Sequence, residues 1–477
     1  MLMVNNQAHN NVLNSWDVIF VAFGAMIGWG WVVSSGQWIT TGGVLGTILG
    51  FFIGGLMIYY VGLVYAELTT AIPVSGGVQN FTFAAFGPIG AFASTWALLL
   101  SYVGVICFEA VSFPTIIQYI FPAFLQGHLY TVMGFDVYLT WLLVAVLTAI
   151  LIIYINIKGS KFAAKFQMLF TLCIAFVGLL LIIGSIFNGK VDILTSHFFV
   201  GDGSYDILSN TLKVAIMTPF FLFGFDVIPQ TAEEIKVPLK RLGRIMILSI
   251  VMAVVFYALV VLAVGLLLNN EQIAMSMSAS GLVTASAMEV AFNSSTMAKV
   301  LILGGLCGII TSWNSFLIGG SRILLSMSKS HLIPQTFSKL HPLYKTPIAA
   351  LLLLGLTSII SVFFGRVMLV WIVNAANFSC CIAYFMVCVS FLFIRKKYPT
   401  MVRPYKVHYG GFVGIMAVCM SSLMTLLYLI PGSNCSLDWQ EWLIIGGWLA
   451  LGLFLGIRSK RLYKDDFATG MTLQTQY

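Results

Sequence analysis

Long apolar stretches recur along this chain from Trp16 to Ile457, and many exceed the roughly 20 residues that an α-helix needs to cross a hydrocarbon core. Composition points the same way. The 477 residues are 60% hydrophobic and 8% charged, where a soluble domain carries about a quarter charged residues to keep its surface solvated. Most of this surface must face something other than water. No composition break divides the chain, which reads as one integral domain with short tails.

The spacing of apolar stretches predicts an all-α membrane protein with twelve transmembrane helices. They are placed at 16–39, 43–66, 88–121, 138–157, 163–187, 208–230, 244–268, 283–328, 347–364, 367–393, 411–430 and 441–457. The third and eighth are longer than a bilayer requires and should tilt or extend beyond it; the start of the eighth, from Thr284 to Lys299, is less apolar and reads alternatively as part of an extracellular helix. With the N-terminus in the cytoplasm, the alternate loops at 158–165, 233–243, 329–346 and 395–410, their flanks and the C-tail hold 20 of the 24 Lys and Arg residues. That is the positive-inside pattern of an even number of spans with both termini cytoplasmic, as in a plasma-membrane protein. The net charge of +8 is thereby a topology signal, and nucleic acid is not an expected partner. Residues 1–15 are polar, lack Lys or Arg, and show no secretory cleavage pattern. Only Cys435 of the eight cysteines falls in an expected loop, so no disulfide framework is expected.

Two spans are interrupted in matching places. The first contains Gly24-Ala25-Met26-Ile27-Gly28-Trp29-Gly30-Trp31, and the sixth contains Pro219, Gly224, Asp226 and Pro229 within twelve residues. Gly and Pro weaken helices, and unpaired backbone at membrane depth is tolerated only around a protein-lined cavity. If spans 1–5 and 6–10 are inverted repeats, the two breaks correspond, which is the sequence pointer to a secondary transporter's binding site. The plainer alternative is glycine serving close helix packing.

Four segments, in order over roughly residues 15–400, resemble the amino acid–polyamine–organocation superfamily of permeases. They are Gly24 to Trp31 with Gly36; Glu67 to Gln79, reading ELTTAIPVSGGVQ; Gly224-Phe225-Asp226 with Ala232-Glu233-Glu234 and Pro238; and Ser321-Arg322 with Leu332-Ile333-Pro334 and Pro347. The resemblance implies a LeuT-like five-plus-five inverted repeat with broken helices 1 and 6. The transport core would run over 16–393 (repeats about 16–187 and 208–393), helices 11 and 12 over 394–457, and tails over 1–15 and 458–477. It implies a secondary active transporter for an amino acid or related amine, working by alternating access with proton coupling or exchange. A polyamine or organic-cation carrier is the alternative. Two departures stand out: Trp29 sits where the family often has a small polar residue, and Ile174 sits where some proton-coupled relatives have a lysine.

Carboxylates at membrane depth are costly and usually functional. Glu109 in the third span shares one helical face with Ser101, Val105 and Ser112; it is read either as a site group or as a protonated carboxyl bonded to a neighbouring helix. Asp226 is read either as a proton or substrate group or as a cap on the second half of span six. Glu289 lies near the expected outer mouth and carries no assignment. A zwitterionic solute would meet free backbone N–H groups at Ile27, Gly28, Trp29 and Gly30. Its ammonium would meet carbonyls at Ala25 and from Phe220 to Phe223, beside Gly224. By comparison with an antiporter of the superfamily, Phe220 falls at a sixth-helix aromatic gate. Trp313, Asn314 and Phe316 would form a facing wall. Glu67 is expected to pair with an inner-face base, as a structural or gating group. All six histidines lie in tails or loops, so the residues offer no intramembrane metal cluster, no cofactor site and no enzyme-like nucleophile–His pair. A channel is disfavoured by the lack of a charged pore ring or filter loop.

Overall fold

The first helix begins where Asn14 closes a capping box: its side chain accepts from the amides of Trp16 and Asp17, and the Asp17 carboxylate accepts the Asn14 N–H at 2.9 Å. The computed structural model describes residues 12–464 apart from 280, 366 and 432–435. The sequence readings on His9, Arg366, Cys435 and the tail beyond 464 lie outside the described residues.

From that cap the chain forms α1 (Ser15–Met26), α2 (Gly30–Val33), α3 (Ser35–Ala71) and α4 (Gly77–Ile120). A hairpin of β1 (His128–Val132) and β2 (Phe135–Tyr138) leads into α5 (Leu139–Ile157), α6 (Ser160–Asn188) and α7 (Val191–Thr195). Next come α8 (Ser204–Phe221), α9 (Val227–Gln230), α10 (Leu239–Leu267), α11 (Asn270–Ala279) and α12 (Val283–Phe292). The rest is α13 (Ser295–Lys329), α14 (Ile348–Val362), α15 (Val367–Lys397), α16 (Gly410–Leu429) and α17 (Trp439–Tyr463).

Ten helical segments among the described residues are long and apolar enough to cross a membrane, α1 and α2 counting as one. α8, with Asp206 and Lys213 in its 18 residues, is not among them, and α14 is a shorter apolar helix of 15 residues. Burial separates centre from rim. Of the most apolar stretch of α13, 83% is buried, against 17% for α17. α13 packs on α4, α6 and α1; α3 packs on α8 and α10; α15 runs along α4.

Three expectations need correction. The stretch 283–328 is not one helix: Asn293 takes a left-handed conformation (φ 47°) and divides α12 from α13, in the less apolar region where Glu289 is exposed. Residues 35–39 do not belong to the first span but begin α3, which bends at Gly43, where φ is 73°. The chain is not wholly helical, since β1 and β2 pair antiparallel. A similar bend at Gly87 (φ 72°), just before Pro88, starts the straight part of α4 where the sequence placed the third span.

The end of the bundle that carries most of the basic loops is held shut by polar ties. The N–H groups of Val12 and Leu13 donate to Glu234 O at 2.9 and 3.0 Å, and Lys236 N–H donates to Leu13 O at 2.8 Å. The Glu234 carboxylate accepts from Arg322 Nε at 2.8 Å, and the same guanidinium donates to Ser160 Oγ at 2.6 Å. Glu67 accepts two bonds from Arg395, at 2.9 and 2.5 Å, and the Val407 N–H at 2.7 Å, with Arg403 Nε at 3.1 Å.

Candidate functional site

The first span loses helical geometry between Met26 and Gly30, and the sixth between Phe221 and Val227. The two breaks lie against each other. Gly224 has φ 130°, and a Cβ there would sit 2.7 Å from the Ala25 Cβ and 2.9 Å from its carbonyl carbon, so only glycine permits the approach. On the other side, a Cβ on Gly308 of α13 would fall 2.6 Å from the Gly28 carbonyl oxygen. These crossings leave backbone groups unpaired. The N–H groups of Gly28, Trp29 and Gly30 donate to no protein acceptor among the described residues. The carbonyl of Met26, released at the break, accepts from the Tyr257 hydroxyl at 3.0 Å.

A cavity of about 400 Å³ opens at the breaks. Its lining includes Ala25, Gly28, Trp29 and Gly30 from the first break, Phe220 and Phe223 from the sixth, Glu109 with Val105 and Phe108 from α4, and Phe316 from α13. Val33 and Gln37, both exposed, line it on the side of the first break away from the 12–14 strap. Most of the wall is apolar. Glu109 is the single charged side chain in the lining. Its Oε1 lies 3.3 Å from where a Gly28 Cβ would be, while its Oε2 is buried without a hydrogen-bond partner. A buried carboxylate oxygen with no donor is an expensive arrangement in an empty protein.

The structure separates the remaining sequence candidates from this lining. The Ile27 side chain is fully buried away from the cavity, its N–H bonded to Phe23 O. Trp313 and Asn314 turn from the cavity toward other helices. The Asn314 Nδ2 donates to Gln167 Oε1 at 2.8 Å and its Oδ1 accepts from Asn156 Nδ2 at 2.9 Å, tying α13 to α6 and α5. Gly224 and Asp226 sit outside the lining. Asp226 gathers three donors: Gly224 N–H at 3.0 Å and the Tyr384 hydroxyl at 2.9 Å on Oδ1, and the Tyr102 hydroxyl at 2.8 Å on Oδ2. These bonds tie the sixth-span break to α4 and α15. Glu67 lies at the basic end in the ties described above.

Sequence reasoning missed Tyr102, Tyr257, Ser312, Tyr384 and the pair Asn374 and Asn377. Ser312 and Phe316 line the cavity, one α-helical turn apart, so Ser312 had a signal: it shares a helical face with Phe316. The tyrosines had none, because each acts across 100 or more residues of chain. At Ile174, fully buried, the structure offers no polar group. One and two turns earlier on α6, Thr171 and Gln167 face Gly24, within 2.5 Å of where its Cβ would be.

Comparison with known proteins identifies the family of the chain. Residues 17–465 match the amino acid permease family. The chain is similar to the methylthioribose transporter of Bacillus subtilis (25% identity, 92% of this chain and 91% of that one). It is similar also to the branched-chain amino acid permease BcaP of the same organism (26%, 93% and 91%) and to the histidine permease HisP of Lactococcus lactis (23%, 94% of each). With a family match over nearly its whole length and apolar helices throughout, this integral membrane protein belongs to the amino acid permease family.

Proposed function

We propose that the protein carries an amino acid or a closely related amine across the membrane by alternating access, and that the solute binds in the cavity between the paired breaks. The observation that carries the reading is the pairing of opposite receptors in one cavity. Three unpaired N–H groups at Gly28, Trp29 and Gly30 suit a carboxylate, and the donor-less Oε2 of Glu109 suits an ammonium. The apolar wall of Val105, Phe108, Phe220 and Phe223 takes an apolar side chain or stem. The names of the relatives support the class and differ in the solute: branched-chain amino acids, histidine and methylthioribose.

The same reading counts twelve spans. Ten are long apolar helices; α8 with α9 forms the broken sixth, and α14 the ninth. α12 then lies outside the count as a peripheral helix. Spans 1–5 and 6–10 form a LeuT-like inverted repeat over 16–393, supported by matching breaks in the first and sixth. Helices 11 and 12 follow over 394–457, and both termini are cytoplasmic in a plasma membrane. Asp226 serves as a clamp, and Glu109 is the group placed for proton coupling.

A thermal-stability screen of purified protein against amino acids and amines tests the function, since a ligand of the folded state stabilises it by RT ln(1 + [L]/Kd). A shift for at least one amine-bearing solute supports the reading. No shift across the panel, with uptake of those solutes by proteoliposomes equally absent, rejects it.

A further inference from the structure

A second cleft, of about 540 Å³, lies between the start of α1 and the start of α10. Trp16 and Ile19 wall it on one side, and Leu248 on the other. Lys240, Arg241 and Arg244 line the same cleft. All three bases are exposed and have no carboxylate partner among the described residues. Of the acids nearby in sequence, Asp17 closes the capping box and Glu234 pairs with Arg322. The cleft sits at the basic end of the bundle, where the apolar part of α10 begins. Trp16, 64% exposed, has the amphipathic ring that settles at a membrane–water boundary.

We propose that this cleft binds an anionic phospholipid of the inner leaflet. Its phosphate would meet Lys240, Arg241 and Arg244, and its acyl chains would run along Ile19 and Leu248. Three unpaired cations above an apolar trough complement a headgroup phosphate joined to a hydrocarbon tail, and basic pockets between helices on the cytoplasmic side are suited to acidic headgroups. Free phosphate matches the bases but leaves the trough unfilled. The location gives the lipid a consequence. α1 carries Ala25 and the first break, so a lipid bridging α1 and α10 holds the half-helix in the position seen here, with the strap at residues 12–14 closed. The inference goes beyond the proposed transport function. Its leaflet assignment rests on the proposed orientation.

The test is native mass spectrometry of the purified protein with phosphatidylglycerol and with phosphatidylcholine. Melting temperature is measured with each lipid and with inorganic phosphate. Wild type should favour phosphatidylglycerol by at least about tenfold, since bases near the membrane surface attract acidic headgroups. Its melting temperature should rise with that lipid. The triple variant Lys240→Gln, Arg241→Gln, Arg244→Gln should lose both effects, while Arg241→Lys with Arg244→Lys keeps them. Equal retention of phosphatidylglycerol by wild type and the glutamine variant overturns the site. Stabilisation by inorganic phosphate alone, abolished in the same variant, overturns the lipid in favour of a soluble anion. Labelling of Ser15→Cys by an impermeant thiol reagent from outside intact cells overturns the inner-leaflet assignment, and it leaves the solute-binding screen untouched.

Discussion

At the scale of single residues, the lesson of this site is helical phase. The sequence pointed to Trp313, Asn314 and Phe316 as one wall, and the structure puts Phe316 with Ser312 in the cavity while Asn314 ties α13 to its neighbours and Trp313 is buried outside the lining. Nothing in a local stretch of small and aromatic residues sets that phase; the packing of α13 against α5 and α6 does. Glu109 was legible because a lone carboxylate in an apolar helix has few inexpensive explanations. Its unpartnered oxygen leads to a direct expectation. Glu109→Gln should weaken binding of an amine-bearing solute by about 1.5–3 kcal/mol, the range of a hydrogen bond to a charged group, when titrated calorimetrically. Unchanged affinity would remove Glu109 from the site. The first-break glycines should differ from each other. A Cβ on Gly30 would meet the Phe221 ring at 2.4 Å, whereas the nearest atom to one on Gly28 is Glu109 Oε1 at 3.3 Å. Gly30→Val is expected to lower both thermal stability and uptake. Gly28→Ala should reach the membrane with near-normal stability and bind solute more weakly; normal binding in both variants contradicts the site.

At the scale of elements, the paired breaks were legible and their fixing was not. Glycine and proline mark where a helix must fail, but the groups that hold the failed segment come from far along the chain. Asp226 draws Tyr102 from α4 and Tyr384 from α15, side chains 124 and 158 residues away. An ionised carboxylate only accepts hydrogen bonds, and three donors converge on this one. Tyr102→Phe and Tyr384→Phe should each lower stability by about 1.5–3 kcal/mol, read as a fall in the unfolding midpoint in detergent. Asp226→Asn keeps an acceptor for the Gly224 N–H and should retain solute binding and the pH profile of uptake, where Asp226→Ala loses binding. A flattened pH profile in Asp226→Asn would show that the group carries a proton instead of clamping. The same logic covers the basic end: Glu67 faces both Arg395 and Arg403, so Glu67→Gln leaves two guanidinium groups without their carboxylate and should destabilise by about 3 kcal/mol or more. The hairpin of β1 and β2 escaped the sequence because it lies between spans, where no apolar period guides the reading, whereas the less apolar stretch from Thr284 to Lys299 had marked where α12 separates from α13.

For the whole molecule, hydropathy made the long apolar helices legible, ten of them among the described residues, since a chain in lipid has few ways to satisfy its backbone. Topology makes its own prediction. Cysteines placed in the loops at 158–165, 233–243, 329–346 and 395–410 should all escape an impermeant reagent added to intact cells, and labelling at any one contradicts the orientation. The central claim is that the solute occupies the cavity between the paired breaks, and substrate protection tests it most directly. Val105 and Val373 line that cavity from α4 and α15, both half-buried. With cysteine introduced at each in turn in a background lacking the native cysteines, the rate of thiol modification is measured with and without a solute that the protein transports. The account predicts that saturating solute slows modification at both positions, with a half-effect concentration equal to the solute's Kd. Modification at an unchanged rate at both, while the same protein still binds and transports the solute, would place the binding site elsewhere.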